Sequence, residues 1–294
     1  MVSDGLKTFL KLDKLKIYGD LVMFSHTLFS LPFALISMLW AANGLPSPWI
    51  FFWMLVALAG ARNGANALNR LVDKNIDARN PRTAGRHLPK GLVGNLEVFL
   101  LILFCFGAYI FAAFMLNPLC VILSPLPVLI FMAYSYTKRF TWACHLVLGI
   151  ACGGAPVGAW IAVQGNISWT SLILAAVVTL WVAGFDILYA VQDVDFDRNE
   201  SLFSIPSIFG IKNALVISSL FHLLAVGILV YLSFIRNTGI FYLIGIGIVV
   251  LLLLTEHLLV TPKNMRNVKI ASYNINQVVS VVLLVFTSLD VFLK

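Results

Sequence analysis

Residues 96–115, LEVFLLILFCFGAYIFAAFM, contain one charged side chain, Glu97, in an otherwise uncharged and mostly apolar run. Because an α-helix rises about 1.5 Å per residue, a run of this length crosses the roughly 30 Å hydrocarbon core of a bilayer. Backbone groups in lipid must bond within a helix or a closed barrel, and barrel strands alternate apolar and polar residues. This continuous run therefore predicts a transmembrane α-helix.

Runs of the same kind recur along the 294 residues, bounded by charged residues, Pro and Gly. They predict an all-α polytopic membrane protein, a bundle of about nine transmembrane helices in one domain covering residues 1–294. The second and sixth spans both end in an acidic cluster, 120 positions apart, so we expect two four-helix halves followed by a final helix. The predicted spans lie near 20–42, 48–69, 96–115, 118–136, 144–163, 169–190, 212–233, 239–260 and 273–292.

The amino-acid composition excludes a soluble globular protein. Apolar residues make up 60% of the chain and charged residues 11%, whereas a soluble domain is roughly 25% charged. The net charge of +7 would suit a nucleic-acid partner, but the basic residues are dispersed between apolar runs and form no single patch. Membrane topology explains this charge better, and we expect a lipid bilayer and no nucleic acid as partner.

Lys and Arg are distributed unequally between the two sets of connections, and short cytoplasmic loops usually carry the excess. Residues 70–90 hold six of them, whereas residues 43–47 and 164–168 hold none. On the basic-poor side we count only Arg236 and Lys294. The asymmetry predicts an integral protein of a prokaryotic cytoplasmic (inner) membrane, with its N-terminus and motif-bearing loops in the cytoplasm. The remaining basic residues assigned to that side include Lys7, Lys11, Lys14, Lys16, Lys138, Arg139, Arg198, Lys212, Lys263, Arg266 and Lys269.

Asn69, Asp73 and Asp77 are spaced four apart where the second predicted span meets the cytoplasm. If the helix continues, this spacing places the three side chains on one face. Oxygen ligands of this kind suit Mg²⁺, which usually keeps several waters and shares its coordination with substrate phosphates. The alternative is a solvated acidic helix end whose carboxylates pair with nearby Arg residues.

A second cluster after the sixth span repeats this spacing. Tyr189, Asp193 and Asp197 are again four apart, with Asp195 between them and Asp186 one turn earlier. The chain has only 13 acidic residues, and ionisable residues at the ends of spans in so apolar a chain are candidates for function. Two facing acidic clusters could hold two Mg²⁺ ions around one diphosphate.

Basic residues near both clusters could bind that diphosphate. Arg82 and Arg86 follow the first cluster, Lys138 and Arg139 follow the fourth span, and Arg62 lies inside the second span. A guanidinium binds phosphate oxygens in bidentate fashion and a Lys supplies a point charge. The alternative is that these residues only obey the positive-inside rule, although an Arg within a span is costly unless it has a role.

These motifs resemble those of the UbiA-type intramembrane aromatic prenyltransferases. The stretch NRLVDKNIDARNPRTAGR at 69–86 resembles the first family signature, DILYAVQDVDFD at 186–197 resembles the second, and YSYTKR at 134–139 resembles a third element with a Tyr and a Lys four apart. The predicted span count also agrees, so the resemblance covers essentially the whole chain. It implies a helical bundle around a central cavity that opens laterally to lipid and is capped by the cytoplasmic loops.

The resemblance also implies roles for individual residues. The implied magnesium ligands are Asp73, Asp77, Asp193 and Asp197. The implied diphosphate contacts are Asn69, Arg62, Arg82, Arg86 and Lys138. The implied acceptor contacts are Arg139, for the carboxylate, with Tyr134 or Tyr189 nearby, and Asp193 is the candidate base for the phenolic proton.

The sequence departs from the family pattern at two positions. Arg70 stands where many relatives have Asp, and Phe203 stands where many have Lys. We therefore expect the diphosphate contacts to be rearranged relative to those relatives. His26 could also face the cavity, although a lone His at the start of a helix is more often an interfacial residue.

The function implied is Mg²⁺-dependent transfer of a polyprenyl group from polyprenyl diphosphate to an aromatic acid, in respiratory quinone synthesis. The acceptor expected is 4-hydroxybenzoate, and a dihydroxynaphthoate-type acid on the way to menaquinone is the alternative. A membrane transporter is the alternative from another class, but it predicts charged residues spread through the depth of the bilayer. Here the charged residues gather on one face, and carboxylates within the spans are nearly absent apart from Glu256 and Asp290 towards span ends.

Overall fold

The computed structural model describes residues 17–22, 27–262 and 264–294, and these form a bundle of helices without a β-strand. The α-helices are α1 Thr27–Ala42, α2 Pro48–Val72, α3 Lys74–Arg79, α4 Asn95–Leu116, α5 Pro118–Leu123, α6 Pro125–Thr137, α7 Cys144–Gln164, α8 Trp169–Ala190, α9 Val194–Asn199, α10 Ile205–Arg236, α11 Ile240–Leu259 and α12 Asn276–Leu293. A 3₁₀ turn at Val191–Asp193 joins α8 to α9, and a π-helical segment at Ile270–Ile275 precedes α12.

Within the described residues, seven helical segments are long and apolar enough to cross a membrane: Asn95–Leu116, Pro118–Thr137, Cys144–Gln164, Trp169–Asn199, Ile205–Arg236, Ile240–Leu259 and Ile270–Leu293. The all-α membrane class is confirmed, but the predicted count of nine is not. The described part of α1 has 16 residues, and part of the predicted span 20–42 lies outside the described residues. Helix α2 has 25 residues, but Arg62 and several Asn side chains make it less apolar than the other spans.

Helix starts follow local sequence signals. Pro occupies the first turn of α2, α5 and α10, where its missing N–H costs nothing because that N–H has no partner within the helix. The residue before each start caps it, as when the Asn117 side chain accepts a hydrogen bond from the backbone N–H of Cys120 at 3.0 Å. Helix α7 ends at Gln164, and Gly165 follows it as the C-cap with a φ of +67°, which suits a residue without a side chain.

Small residues let neighbouring helices approach closely. Helix α2 packs along α4, where a Cβ atom on Gly60 would lie 2.6 Å from the backbone oxygen of Cys105. Helices α7 and α8 form a similar contact through Gly153, whose added Cβ would lie 2.8 Å from the oxygen of Ala175. Small residues at such contacts are typical of helix packing in membranes.

The outer surface of the bundle is apolar. Phe104 and Leu258 expose 73% and 79% of their surface, and many large apolar side chains on the same helices are exposed as well. A soluble protein rarely exposes so large a continuous apolar surface, whereas lipid is its natural solvent. The chain is therefore an integral membrane protein.

The site region lies at one end of the bundle, where the helices break. Helix α2 ends at Val72 and α3 begins at Lys74, so Asp73 belongs to neither helix. The connection from Asn80 to Gly94 crosses the same end. Helix α8 ends in the 3₁₀ turn, and α9 continues from it. Both acidic clusters therefore lie at interrupted helix ends.

Candidate functional site

A cavity of about 790 Å³ opens at the end of the bundle that carries both acidic clusters. Its walls come mainly from α2, α3, α6, α7 and α8 and from the connection after α3, with contributions from α1, α9 and the π-helical segment. All the candidate site residues predicted from the sequence line it except Arg139: Arg62, Asn69, Asp73, Asp77, Arg82, Arg86, Tyr134, Lys138, Tyr189, Asp193 and Asp197. The two motifs, 120 positions apart in the chain, therefore share one cavity.

The first motif keeps helical spacing across a break in the helix. The four-residue spacing places Asn69, Asp73 and Asp77 on one face if the helix continues, but Asp73 adopts φ −90° and ψ 2° and separates α2 from α3. Backbone bonds from Asp73 N to Asn69 O at 2.9 Å and from Asp77 N to Asp73 O at 2.8 Å still span four residues. Because these bonds persist, the three side chains still line the same cavity.

Asp73 is 3% exposed and accepts hydrogen bonds from three residues. Lys138 Nζ lies 2.6 Å from Asp73 Oδ2, and Asn69 Nδ2 donates to the same oxygen at 3.1 Å. Arg139 Nη2 lies 3.4 Å from Asp73 Oδ1. The third sequence element thus reaches the first acidic motif through an ion pair, which a buried carboxylate requires.

Asp77 is 5% exposed and pairs with two Arg residues. Arg86 Nη1 lies 2.6 Å from both carboxylate oxygens, and Arg70 Nη1 lies 4.0 Å from Oδ2. Arg70 is the residue at which the sequence departs from many relatives. In this structure its guanidinium adds positive charge beside Asp77.

Asp193 is bridged by Arg82 in a fork-like arrangement. Arg82 Nε donates to Asp193 Oδ1 at 2.9 Å, Arg82 Nη2 donates to Oδ2, and Asn80 Nδ2 donates to Oδ1 at 2.9 Å. Arg82 Nη1 also donates to the hydroxyl of Tyr189 at 2.6 Å. Partial burial lowers the pKa of Arg82, but the bond to Asp193 and the charges around it outweigh burial and leave that pKa raised.

Asp197 has a different environment from the other three aspartates. Its Oδ2 accepts a hydrogen bond from the hydroxyl of Ser204 at 2.9 Å, and among the described residues no Lys or Arg lies within ion-pair distance of it. Phe203, the second departure from the family pattern, lines the cavity, and its N–H donates to the backbone oxygen of Lys138 at 2.7 Å.

The donor set fits a hard divalent cation that brings its own waters and phosphate. The four aspartates and Asn69 line the cavity and carry side-chain oxygens, the ligand type that Mg²⁺ prefers. No group of three or more His, Cys, Asp or Glu residues is close enough to form a complete protein cage in the described part of the chain.

Of the two Arg residues Arg62 and Arg139, only Arg139 is placed differently from expectation. Arg139 does not line the cavity, because its guanidinium bonds the backbone oxygen of Val72 at 2.8 Å and lies 5.1 Å from the ring centre of Tyr136. Arg62 does line the cavity, and its Nη1 lies 3.1 Å from Cys152 Sγ. The Nε atom of Arg62 is buried and has no acceptor among the described residues.

A buried pair that the sequence analysis missed lies in the cavity wall. His145 Nδ1 lies 2.7 Å from Asp186 Oδ2, and the N–H of Ile205 donates to His145 Nε2 at 3.4 Å. The backbone N–H can only donate, so Nε2 accepts and the ring proton lies on Nδ1, facing the carboxylate. Asp186 was noted in the second motif, but its partner lies 41 positions away and no local pattern marks it. His26, which we suggested could face the cavity, lies outside the described residues.

Below the polar mouth the cavity wall is aromatic. Phe29, Phe185 and Tyr273 line it, with ring centres 5.1 Å apart for Phe29 and Phe185 and 5.3 Å apart for Phe29 and Tyr273. Trp181 packs behind them, 5.1 Å from the ring centre of Phe185. The cavity thus combines a charged mouth with an apolar, π-rich floor.

Comparisons with known proteins agree with this architecture. The sequence profile described as the UbiA prenyltransferase family matches residues 30–278. The 4-hydroxybenzoate octaprenyltransferase of Shewanella pealeana is 30% identical over 241 residues, which cover 80% of this chain and 82% of that protein. The apo structure of a UbiA homologue from Aeropyrum pernix K1 superposes with a TM-score of 0.81 at 31% identity, covering 88% of this chain and 95% of that one. A UbiA homologue from Archaeoglobus fulgidus bound to GPP and Mg²⁺ superposes with a TM-score of 0.71 over 92% of this chain and 98% of that one, and at 16% identity it supports the fold alone.

Proposed function

Since this chain belongs to the UbiA prenyltransferase family and is a prenyltransferase, we propose that it transfers a polyprenyl group from polyprenyl diphosphate to 4-hydroxybenzoate in quinone synthesis. The observation that carries the proposal is the single cavity in which both acidic motifs and their cations meet above an aromatic floor. The relatives named 4-hydroxybenzoate octaprenyltransferase support this acceptor. Family membership favours an enzyme over the transporter alternative.

The charged mouth binds the diphosphate head. Asp73, Asp77, Asp193 and Asp197 would hold Mg²⁺, which when bound neutralises the leaving diphosphate. Arg82, Arg86 and Lys138 already lie within hydrogen-bond distance of three of these aspartates. On substrate binding, each cation exchanges its carboxylate partner for phosphate oxygens, since guanidinium groups bind phosphate as they bind carboxylate. Asn69 contributes a further N–H donor.

The aromatic floor binds the reacting end of the prenyl chain. Cleavage of the allylic C–O bond leaves its electron pair on diphosphate and a delocalised positive charge on the prenyl group. The faces of aromatic rings such as Phe185 and Tyr273 stabilise a cation and exclude the water that would quench it. A polyprenyl tail then extends toward the lipid that surrounds the bundle.

Arg62 is the residue we assign to the carboxylate of the acceptor, replacing Arg139. Arg62 lies two turns deeper than Asn69 and has a buried Nε without an acceptor. It contacts Cys152 and pairs with no carboxylate of the described chain. A guanidinium held in this way is free to pair with a benzoate in bidentate fashion. Arg139 instead positions Asp73 from outside the cavity.

Asp186 is the base we assign for the phenolic proton, replacing Asp193. The oxygens of Asp193 are both taken by Arg82, and Asn80 shares one of them. One oxygen of Asp186 accepts a bond from His145, and the carboxylate lines the cavity. The His145 ring, fixed by the N–H of Ile205, orients that carboxylate.

The proton balance closes with Asp186 in this role. As the ring carbon beside the hydroxyl bonds to the prenyl carbon, the hydroxyl proton passes to Asp186 and the ring becomes a dienone. Loss of the proton from the substituted ring carbon to water restores aromaticity, and Asp186 returns its proton to the oxygen. The net products are prenylated acid, diphosphate and one proton.

The deciding experiment uses purified chain in detergent or nanodiscs with Mg²⁺, labelled polyprenyl diphosphate and each candidate acid separately. We expect labelled product with 4-hydroxybenzoate, none without divalent cation, and none from a chain carrying Asp73→Asn. Product only with a dihydroxynaphthoate-type acid would move the proposal to menaquinone synthesis. Turnover that persists unchanged after chelation of divalent cations would contradict the metal assignment.

We further propose that the cavity mouth faces the cytoplasm, which the excess of Lys and Arg at that end supports. Labelling of single Cys residues introduced at Gly91 and at Gly165 would test this, because the two positions lie in connections at opposite ends of the bundle. An impermeant thiol reagent added to intact cells should react at Gly165→Cys and not at Gly91→Cys.

A further inference from the structure

A second polar depression lies at the end of the bundle opposite the cavity. Its volume is about 640 Å³, and it lies where α1, α7 and α10 end and α8 begins. Among its lining residues there is one guanidinium, several amides and three Trp rings, but no carboxylate. The lining includes Trp40, Asn43, Trp160, Trp169 and Arg236.

Arg236 is half-buried in this depression without an acidic partner. Its Nη2 donates to the backbone oxygen of Trp40 at 3.2 Å and to Asn43 Oδ1 at 3.4 Å, and its guanidinium lies 5.8 Å from the ring centre of Trp40. Among the described residues no Asp or Glu lies within ion-pair distance of it. Arg79, Arg82 and Arg86 at the cavity end each have such a partner.

Two hydrogen-bond donors in the same lining lack acceptors. The Nε of Arg236 and the indole N–H of Trp160 are buried and have no partner in the described part of the chain. Trp160 is only 8% exposed. A buried donor left without an acceptor costs about 1–3 kcal/mol, so such atoms are rare unless a ligand or a small rotation of the side chain gives them one.

The surroundings identify where a ligand would come from. Trp169 is 80% exposed at the start of α8, and Trp rings are typical of the depth at which lipid headgroups meet the hydrocarbon core. A guanidinium, unsatisfied N–H groups and no opposing carboxylate favour an oxyanion. At this depth the abundant oxyanion is the phosphodiester of a lipid.

We propose that the depression around Arg236 and Trp160 is a binding site for the phosphodiester headgroup of an anionic phospholipid. Arg236 binds the phosphate oxygens, the indole N–H of Trp160 donates to the ester region, and the ring of Trp169 packs against the glycerol backbone. The site is separate from the cavity and does not depend on which acceptor the enzyme uses.

The test counts bound lipid by native mass spectrometry of the full chain in detergent. Phosphatidylglycerol should bind more tightly than phosphatidylcholine, whose ammonium group competes with Arg236 for the phosphate. Arg236→Gln should reduce phosphatidylglycerol affinity about 10-fold, the equivalent of about 1.4 kcal/mol. Trp160→Phe should reduce it about 2- to 10-fold, the range expected for one hydrogen bond.

Controls separate this site from general electrostatic attraction. Arg266→Gln removes an exposed basic residue elsewhere in the chain and should leave lipid affinity unchanged. Arg236→Lys keeps the charge without the fork and should give an intermediate affinity, and it serves in place of Arg236→Gln if that variant does not fold. Equal affinities of wild type, Arg236→Gln and Arg236→Lys for phosphatidylglycerol would overturn the site. Displacement of phosphatidylglycerol by millimolar inorganic phosphate would overturn the assignment of the ligand as a lipid.

Discussion

The two acidic motifs share a spacing of four residues but differ in what their carboxylates contact. In the first motif, Asp73 and Asp77 are almost fully buried and each pairs with Lys or Arg. In the second, Asp193 pairs with Arg82, whereas Asp197 contacts the hydroxyl of Ser204. Asp197 therefore has no Lys or Arg partner in the described chain that a cation would have to displace. The two motifs therefore differ in their contacts, and if they bind Mg²⁺ as we propose, the first would have to exchange more ion-pair partners than the second.

The largest effect is expected at the first motif. Asp73→Asn should lower kcat/KM at least about 100-fold, since it removes a charged group from the proposed metal site, and should leave the partly buried Lys138 without its carboxylate partner. Activity assays over a titration of Mg²⁺ would measure this, with thermal unfolding as the check on folding. Asp197→Asn should raise the Mg²⁺ concentration needed for half-maximal rate more than it changes stability, because no ion pair is broken. Equal changes in stability for Asp73→Asn and Asp197→Asn would contradict the difference that we infer between the two motifs.

The next effect concerns the bridge between Arg82 and Asp193. Arg82→Gln should lower kcat/KM for polyprenyl diphosphate by about 10- to 100-fold, as expected when a bidentate charged contact is lost. It should also let Mg²⁺ bind more tightly in the absence of diphosphate, because Asp193 no longer has a competing cation. Calorimetric titration with Mg²⁺ alone would detect this increase in Mg²⁺ affinity. Weaker Mg²⁺ binding in the variant would show that Arg82 supports the metal site and does not compete with it.

A smaller effect is expected from the buried pair beside the second motif. His145→Leu should lower kcat about 10-fold with little change in KM for the diphosphate, because an orienting partner outside the reacting atoms typically contributes about 10- to 100-fold. His145→Asn should recover most of the rate, since its amide nitrogen can occupy the place of Nδ1 beside Asp186. Asp186→Asn should lower the rate further while prenyl diphosphate binding stays intact. Full activity of Asp186→Asn would show that a group other than Asp186 acts as the base.

The smallest effect is expected at the exposed pair between Arg79 and Glu200. Their side chains are 54% and 28% exposed, with Arg79 Nη2 2.8 Å from Glu200 Oε2. Pairs of this kind contribute only about 0.2–1 kcal/mol to stability. Arg79→Gln should therefore lower the free energy of unfolding by less than about 1 kcal/mol and change the rate by less than about 2-fold. The variant is a matched control for Arg82→Gln, because both residues reach from the first motif segment to the second. A loss of activity comparable to that of Arg82→Gln would show that this bridge has a larger role than its exposure suggests.

Much of the fold could be predicted from the sequence because lipid imposes a simple rule. Apolar runs such as 96–115 have one structural solution in a bilayer, and α4 covers that run. Helix α2 was found less apolar than a typical span because it carries polar residues such as Arg62 and Asn69 toward the cavity. The part of α1 that the structure describes has 16 residues, which is too short to be counted as a span.

The residues that line the cavity could be predicted from the sequence, but the pairs that their side chains form could not. Four-residue spacing indicated which carboxylates belong together, and the family resemblance indicated which cations accompany them. The break of the helix at Asp73, the outward position of Arg139 and the contact of His145 with Asp186 depend on packing between segments far apart in sequence. No periodicity within one segment carries that information.

The bridge from Arg82 to Asp193 also has a consequence for synthesis. The two residues are 111 positions apart, and translation proceeds at about 5–20 residues per second. Arg82 therefore emerges from the ribosome roughly 5 to 20 seconds before its partner exists. During that interval the loop that carries Arg82 lacks the carboxylate that it contacts in the folded protein.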